Sequence, residues 1–395
     1  MKYLKLTTLN LLFALFLFGC ESDELNKNTE PNIYQKYIGG AFEEEFVDVK
    51  PSESDGHYIL ATKKINPETE SHYLITKIDE FGNTEWSREF GFGTIAVASD
   101  MIVEENRILA LGHMILEDLS TEMILWILDF NGNTMDSLSI GTLEESERNG
   151  HFVKMTDNSS YIVAAETTSD DNLWDNIIMK LEPNTFDIKW SKNYTTHSAK
   201  NVVDIIEVDK NKIVWIGSNN EPTSGSSSIS INLADTTGIK IESVELGQFN
   251  GASNLAFGLY PYQSRFIIAG GNNESGSFQG MMILFDINEN ILVQETITQT
   301  RDKEFLLYGF QQASNGNLLV SGYQITAVDN QDQMIAEWDS QGNLIWEKVY
   351  ENSYGNDISH RISESADGLH VFGTSYAFTN QSVILMKTNP EGELY

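Results

Sequence analysis

With 58 acidic against 25 basic side chains among 395 residues, the chain carries a formal net charge of -33. A polyanion is repelled by nucleic acid and by an anionic membrane surface, so neither is expected as a partner. The single cysteine, Cys20, excludes a disulfide framework, which leaves stability to a packed core.

In chain order, residues 1–19 read as an export signal. Lys2 and Lys5 precede the apolar run Leu9 to Phe18, which is shorter than the roughly 20 residues of a membrane span. The run ends in Leu17-Phe18-Gly19-Cys20, which resembles the lipobox of bacterial lipoproteins. That resemblance implies diacylation of the Cys20 thiol after cleavage, and an outer-membrane lipoprotein that touches the membrane through its lipid alone. Residues 20–32 are polar, acidic and aperiodic, as in a disordered tether, with a reach of roughly 20 Å. The start Cys20-Glu21-Ser22-Asp23-Glu24 resembles the acidic export signal of surface lipoproteins in Bacteroidetes-type bacteria, implying surface exposure.

After residue 32 one unit repeats. The small residue that ends each I-I-x-G-like run falls at Thr62, Gly112, Ala165, Gly217, Gly270, Gly322 and Gly373, spaced 50 to 53 residues apart. A small residue in such a column is expected to let neighbouring sheets approach. The second unit divides into four short strands: Ala98 to Glu104, Arg107 to His113, Met123 to Asp129 and Asn133 to Ile140. The sixth divides at Phe305 to Gln311, Asn317 to Tyr323, Gln333 to Trp338 and Asn343 to Tyr350. Helical repeats, at about 33–47 residues with a 3.6-residue periodicity, do not fit. The turns Asp79 to Asn83 and Asp129 to Asn133 lack the ligand run of a calcium loop. Their Asp and Asn are expected to bond the turn's own backbone.

The last unit stops at Glu391-Gly392-Glu393-Leu394-Tyr395, where its outer strand should begin. Asn32 to Gly39 resembles the missing strand; compare Ile188 to Tyr194. These readings predict one domain over residues 33–395, after a signal (1–19) and a tether (20–32). Its fold is all-β: a seven-bladed β-propeller of four-stranded antiparallel blades, with the ring closed by the N-terminal strand.

Three elements carry a wider resemblance: W-x-[KR]-x-[YF] at Trp86, Trp190 and Trp346, D-G-x-x-x-x-G at Asp367 to Gly373, and K-x-D-x-x-G-N at Lys77 to Asn83. Together they are similar to the β-propeller repeats of secreted and lipid-anchored bacterial and archaeal proteins. The copies with Asp136, Glu242 and Val293 near the tryptophan place depart from that pattern. The resemblance implies fold and is nearly silent on function.

Catalytic motifs are sparse. Gly91 to Ala96 matches G-x-G-x-x-A but stands between two strands, whereas a dinucleotide site needs a strand and then a helix. No zinc, Walker or nucleophile-elbow pattern occurs, so no cofactor and no metal are expected. His151 and His360 fall in innermost strands and can face a central channel. Tyr260, Tyr262 and Tyr308, with Phe257 and Phe310, form an aromatic set in the inner strands of blades five and six. These five tyrosines and histidines are the candidate binding residues, with Cys20 for lipid attachment. The Gly/Ser/Asn-rich insertions Ser218 to Ser228 and Gly271 to Gln279 share one face, where propellers usually bind. The chain reads first as a monomeric, non-enzymatic scaffold binding an envelope protein or glycan. A propeller enzyme of quinoprotein-like or hydrolytic type and an accessory subunit of an outer-membrane assembly are the alternatives.

Overall fold

The computed structural model describes residues 33–394, apart from 55, 142–145, 157–159, 169–173, 195–198, 221–226, 247–252, 264, 274–275, 289–290, 299–302, 328–329, 352–354 and 378–379. Cys20 and the tether lie outside the described residues. The described residues form 28 strands and no helix.

The strands associate as seven antiparallel quartets. Two of these share one eight-stranded sheet through a single parallel bridge between Ser71 and Ile95. The second quartet, Ile95–Val103, Ile108–Ile115, Thr121–Leu128 and Thr134–Ile140, matches its expected strands to within a few residues. The sixth does the same, at Phe305–Gln312, Leu318–Ala327, Asn330–Trp338 and Leu344–Tyr350. Both faces of each sheet carry apolar side chains, because every quartet is covered by a neighbour on each side. Seven buried clusters fill the junctions, among them Tyr73 and Ile75 with Ala98 and Ile108 between the first and second quartets. Phe46, Ile59 and Leu74 meet Phe372, Val383 and Leu385 between the first and the last.

The last quartet holds only three strands from the end of the chain, Asp357–Ser365, Gly368–Ser375 and Ser382–Thr388. Tyr34–Ile38 supplies the fourth, antiparallel to Ser382–Thr388, with Tyr34 opposite Lys387 and Ile38 opposite Val383. Tyr34 and Ile38 pack on the cluster between last and first quartets. Tyr37 faces the other way and is 37% exposed, because successive strand side chains alternate in direction.

The two sequence motifs prove to be halves of one joint. In the D-x-x-G-N turn, the Asp79 carboxylate accepts from Phe81 N (2.9 Å), Asn83 N (2.7 Å) and Asn83 Nδ2 (2.9 Å). Asp129 does the same toward Asn131 and Asn133, and Asp339 toward Gln341 and Asn343. These bonds satisfy the turn from within, as turn chemistry requires. They also bring a left-handed glycine to the tip: Gly82, Gly132, Gly238 and Gly392 have φ between 70° and 75°. On each rests the aromatic ring of the preceding quartet's outer strand. A Cβ on Gly132 would lie 2.7 Å from the Trp86 ring and 2.7 Å from the Arg88 stem. Gly238 stands likewise under Trp190 and Lys192, Gly392 under Trp346 and Lys348, and Gly82 under Tyr34. The last motif residue completes the joint, as Tyr194 and Tyr350 donate their hydroxyls to the carbonyls of Gly238 (2.6 Å) and Gly392 (2.7 Å). At one departure from the pattern the partner departs as well. The second quartet's outer strand has Asp136 instead of tryptophan. The third quartet's turn has Phe186 at φ 59, its ring stacked on Tyr161.

Candidate functional site

The innermost strands, Glu43–Pro51, Ile95–Val103, Glu147–Lys154, Ala199–Asp209, Asn254–Tyr262, Phe305–Gln312 and Asp357–Ser365, break register at one common level. The breaks fall at Phe46/Asp48, Ala98/Asp100, Arg148/His151, Val202/Asp204, Ala256/Gly258, Leu307/Gly309 and Ser359/Arg361. A bulge re-aims the extra residue and twists the strand. Here it turns Val47, Ser99, Asn149, Val203, Phe257, Tyr308 and His360 toward a shared axial cleft.

The bulges also explain the repeating small residue. A Cβ on Gly112, Gly270 or Gly373 would stand 2.2, 1.9 or 1.8 Å from the carbonyl of Val97, Leu255 or Ile358, each on the inner strand of the same sheet. At Gly270 and Gly373 the crowding comes from within the quartet, whereas at Gly112 the Tyr73 ring of the preceding quartet stands as close, at 2.3 Å, so approach of neighbouring sheets is one part of what this column serves.

The axial cleft has a volume of about 540 Å³ and is lined from all seven inner strands, a size within the roughly 300–1,000 Å³ of small-ligand sites. On four of the seven strands the residue after the bulge gives it charge: Asp48, Asp100, Asp204 and Arg361. Asp48 pairs with Lys50 at 2.7 Å and with Arg361 Nε at 3.6 Å. Asp100 accepts from Met101 N (2.7 Å) on its own strand and from Phe152 N (2.9 Å) on the next quartet. Asp204 repeats this with Ile205 N (2.8 Å) and Leu259 N (3.2 Å). Burial raises the Asp100 carboxyl to about 6, reinforced by Asp48 and Asp204 and opposed by Lys50 and His151. Burial alone would lower Arg361, but Tyr260 and the three aspartates hold it above its usual range.

An arc of rings lines the other part of the cleft. Phe257 stacks on Tyr308 at 4.1 Å, Tyr308 meets His360 edge-on at 4.9 Å, and His360 stacks on Phe46 at 5.5 Å. Burial, helped by Arg361, lowers His360 to about 3, so its ring is neutral. The Tyr260 hydroxyl donates to the Tyr308 carbonyl (2.7 Å) and receives Arg361 Nη1 at 3.0 Å. Tyr260, Tyr308, His151 and His360 therefore converge on one cleft. Tyr262 does not. It lies two residues beyond Tyr260, roughly 7 Å along the strand, where Phe310, Ile267 and Leu318 bury it in the core. Phe310 packs there too, edge-to-face on Tyr262 at 5.9 Å.

Sequence reasoning missed the acidic column. Its trace is legible afterwards in Phe46-Val47-Asp48, Ala98-Ser99-Asp100 and Val202-Val203-Asp204, where an acid recurs inside an otherwise apolar run. Also missed was a second cleft, of about 870 Å³, between the first and last quartets. His57 and His370 meet edge-on in it at 5.0 Å. Burial and Lys387 lower them to about 3 and about 4, with His370 adding to the shift of His57 and Asp367 opposing that of His370. The insertions are shorter than expected, because Ser218 to Asn220 and Ser227 to Ser228 belong to strands. Residues 221–226 and 274–275 lie outside the described residues. Among the described residues no group of three or more His, Cys, Asp or Glu side chains is placed to hold a metal ion.

No family model and no curated protein matches the sequence. Among solved structures the chain is similar to the WD40 β-propeller domain of Doa1, at 13% identity and a TM-score of 0.51, over 89% of this chain and 96% of that one. It is similar also to Drosophila Semaphorin 2a, at 7% identity and 0.54, over 91% and 75%. A third likeness is to a Mycobacterium tuberculosis puromycin-hydrolyzing peptidase, at 9% and 0.53. It covers 88% of this chain but only 51% of the peptidase, so this chain spans about half of that protein's length. At these identities the likeness carries fold alone: an all-β propeller.

Proposed function

We propose that the chain is a lipid-anchored binding propeller of the cell envelope, held by Cys20 in the outer membrane. In this reading the seven quartets are blades of one ring, sealed by Tyr34–Ile38, and the axial cleft takes the ligand. The observation that carries it is the convergence of Tyr260, Tyr308, His151 and His360 with Asp48, Asp100 and Asp204 on one cleft. Ring faces beside fixed carboxylates suit a segment that is apolar on one side and rich in hydroxyl or amine donors on the other. A glycan unit or an extended peptide of an envelope partner has that character.

The test uses the full chain bearing Cys20→Ala against glycan and peptide arrays. Capture should fall about tenfold or more in Tyr308→Ala and His151→Ala, with the β signal of the fold unchanged. Shortening residues 221–226 and 274–275 separates the cleft from the loops on the face. If capture survives both cleft variants and is lost with the loops, the site lies on the loops. Anchoring is tested separately, because Cys20→Ala should leave the membrane fraction for the soluble one. Retention at high salt would refute the lipid.

A further inference from the structure

The loop that leads from the first quartet to the second, and the hairpin beside it, both present apolar residues to solvent. Phe92 stands between Gly91 and Gly93, both left-handed at φ 83 and 78, and is 67% exposed. Leu119 is 82% exposed and holds φ 69, a conformation that opposes a bulky L-residue. Its hairpin is tightly closed: Leu116 N donates to Ser120 O (2.9 Å), Leu119 N to Leu116 O (2.9 Å), and Ser120 N to Asp118 Oδ1 (3.0 Å). Thr94 Oγ1 donates to the carbonyl of Ile115, which ties the two tips side by side. Strain kept at a rigid tip points to a use outside the fold, since an exposed leucine contributes nothing to the core.

The apolar arc runs on to neighbouring loops. The Phe92 ring meets His72 at 4.7 Å; His72 Nδ1 bonds Glu89 at 2.8 Å; Glu89 pairs with Lys63 at 2.5 Å; and Lys63 lies 5.2 Å over the exposed ring of Phe42. Exposed Tyr376 lies beyond, close enough to Lys64, Glu45 and Glu43 to feel their charges. Of the other large exposed apolar residues described, Phe81, Met135, Ile188, Ile239, Leu344 and Ile345 stand at the turns into the outer strands or at their first residues, and Tyr37 stands on the borrowed strand. Around the arc acids prevail. Glu43, Glu45, Glu70, Glu117, Asp118 and Glu122 stand in these loops and strand ends, while Lys63 and Lys64 are already paired with Glu89 and Glu45.

Apolar anchors within a charged rim are the anatomy of a protein interface, and this rim repels an anionic lipid surface. We propose that the arc of Phe42, Phe92, Leu116 and Leu119 is a docking surface for a protein whose contact face is apolar at its centre and rimmed by lysine and arginine. It is distinct from the axial cleft.

The probe is a library of random displayed peptides, selected on the full chain bearing Cys20→Ala. Enriched peptides should carry apolar residues flanked by Lys or Arg, and should weaken about tenfold or more against Phe92→Asp and Leu119→Asp. Tyr308→Ala should leave their binding unchanged, which separates failure here from failure at the cleft. Raised salt should weaken them as well. Leu119→Gly relieves the strain, so it should keep or raise the melting temperature while losing binding. A lower melting temperature would assign Leu119 to the fold and overturn the proposal. So would enriched peptides of acidic character, binding indifferent to both aspartate variants, or flotation with phosphatidylcholine vesicles that depends on Phe92 and Leu119.

Discussion

Aspartates repeat at two radii of this propeller, and the same side chain behaves in opposite ways. On the outer turns, hydrogen bonds from Asn133 and Asn131 hold the Asp129 carboxyl below its usual range. On the inner strands, burial lifts Asp100 to about 6. The outer carboxylate bonds only residues within four positions of itself. The inner one reaches 52 residues away, to the backbone of the next quartet. The outer acid thus shapes a turn that the next joint uses, whereas the inner acid is itself the joint.

The largest break in this comparison is at the seam, where the outer joint is made by a strand from the other end of the chain. Deleting residues 21–40 removes about five backbone hydrogen bonds, at about 1 kcal/mol each, and the burial of Tyr34 and Ile38, at about 1.5–3 kcal/mol each. That is comparable to the whole stability of a typical domain, about 5–15 kcal/mol. Thermal unfolding should show collapse, and sedimentation should show association through the bared edge at Val383 to Lys387. Deleting residues 21–30 should do neither. A longer truncation that melts like the parent would show that Tyr34–Ile38 does not hold the last quartet together.

Next in size is Asp100→Ala, which leaves the buried amides of Met101 and Phe152 without acceptors, at about 1–3 kcal/mol each. The matching outer change, Asp129→Ala, frees amides that water reaches and should cost about 1 kcal/mol. Urea unfolding of the pair reads the contrast, and equal losses would erase it.

Gly132→Ala should lie between these. It combines left-handed strain with a clash against Trp86 and Arg88, together about 2–4 kcal/mol. Gly316, at φ 87 with nothing within 4 Å of a built Cβ, supplies the control: Gly316→Ala should cost only the strain, about 1–2 kcal/mol. Equal melting temperatures for the two variants would deny the joint its steric part.

The smallest effect is in the pH profile. His57, His360 and His370 are lowered to about 3, 3 and 4. Between those values and about 6.5 the unfolded chain binds more protons than the folded one, so stability falls as pH falls. Asp100 acts in the opposite sense. Raised to about 6, it takes up its proton in the folded state first and offsets part of that loss on acidification. Asp100→Asn should therefore steepen the decline of melting temperature below pH 6. A flatter decline would mean that Asp100 is not raised.

What the sequence alone determined here is whatever one unit can state locally. The 50-to-53-residue period, the four-strand plan and the Asp-Gly-Asn turns rest on alternation and turn chemistry within a few residues. The borrowed strand was legible as well, because Tyr34 to Ile38 repeats the pattern of outer strands such as Ile188 to Tyr194. Only the tertiary structure decided the rest. Trp86 and Gly132 are each motif residues, but that one caps the other is a fact of neighbouring sheets. Tyr260 and Tyr262 look alike in sequence, yet two residues along the strand put the second into the core against Phe310, while the first bonds Tyr308 and Arg361 at the cleft. The acids of the inner strands have partners more than fifty residues away, and no local pattern specifies a contact that only the packing of one quartet on the next brings about.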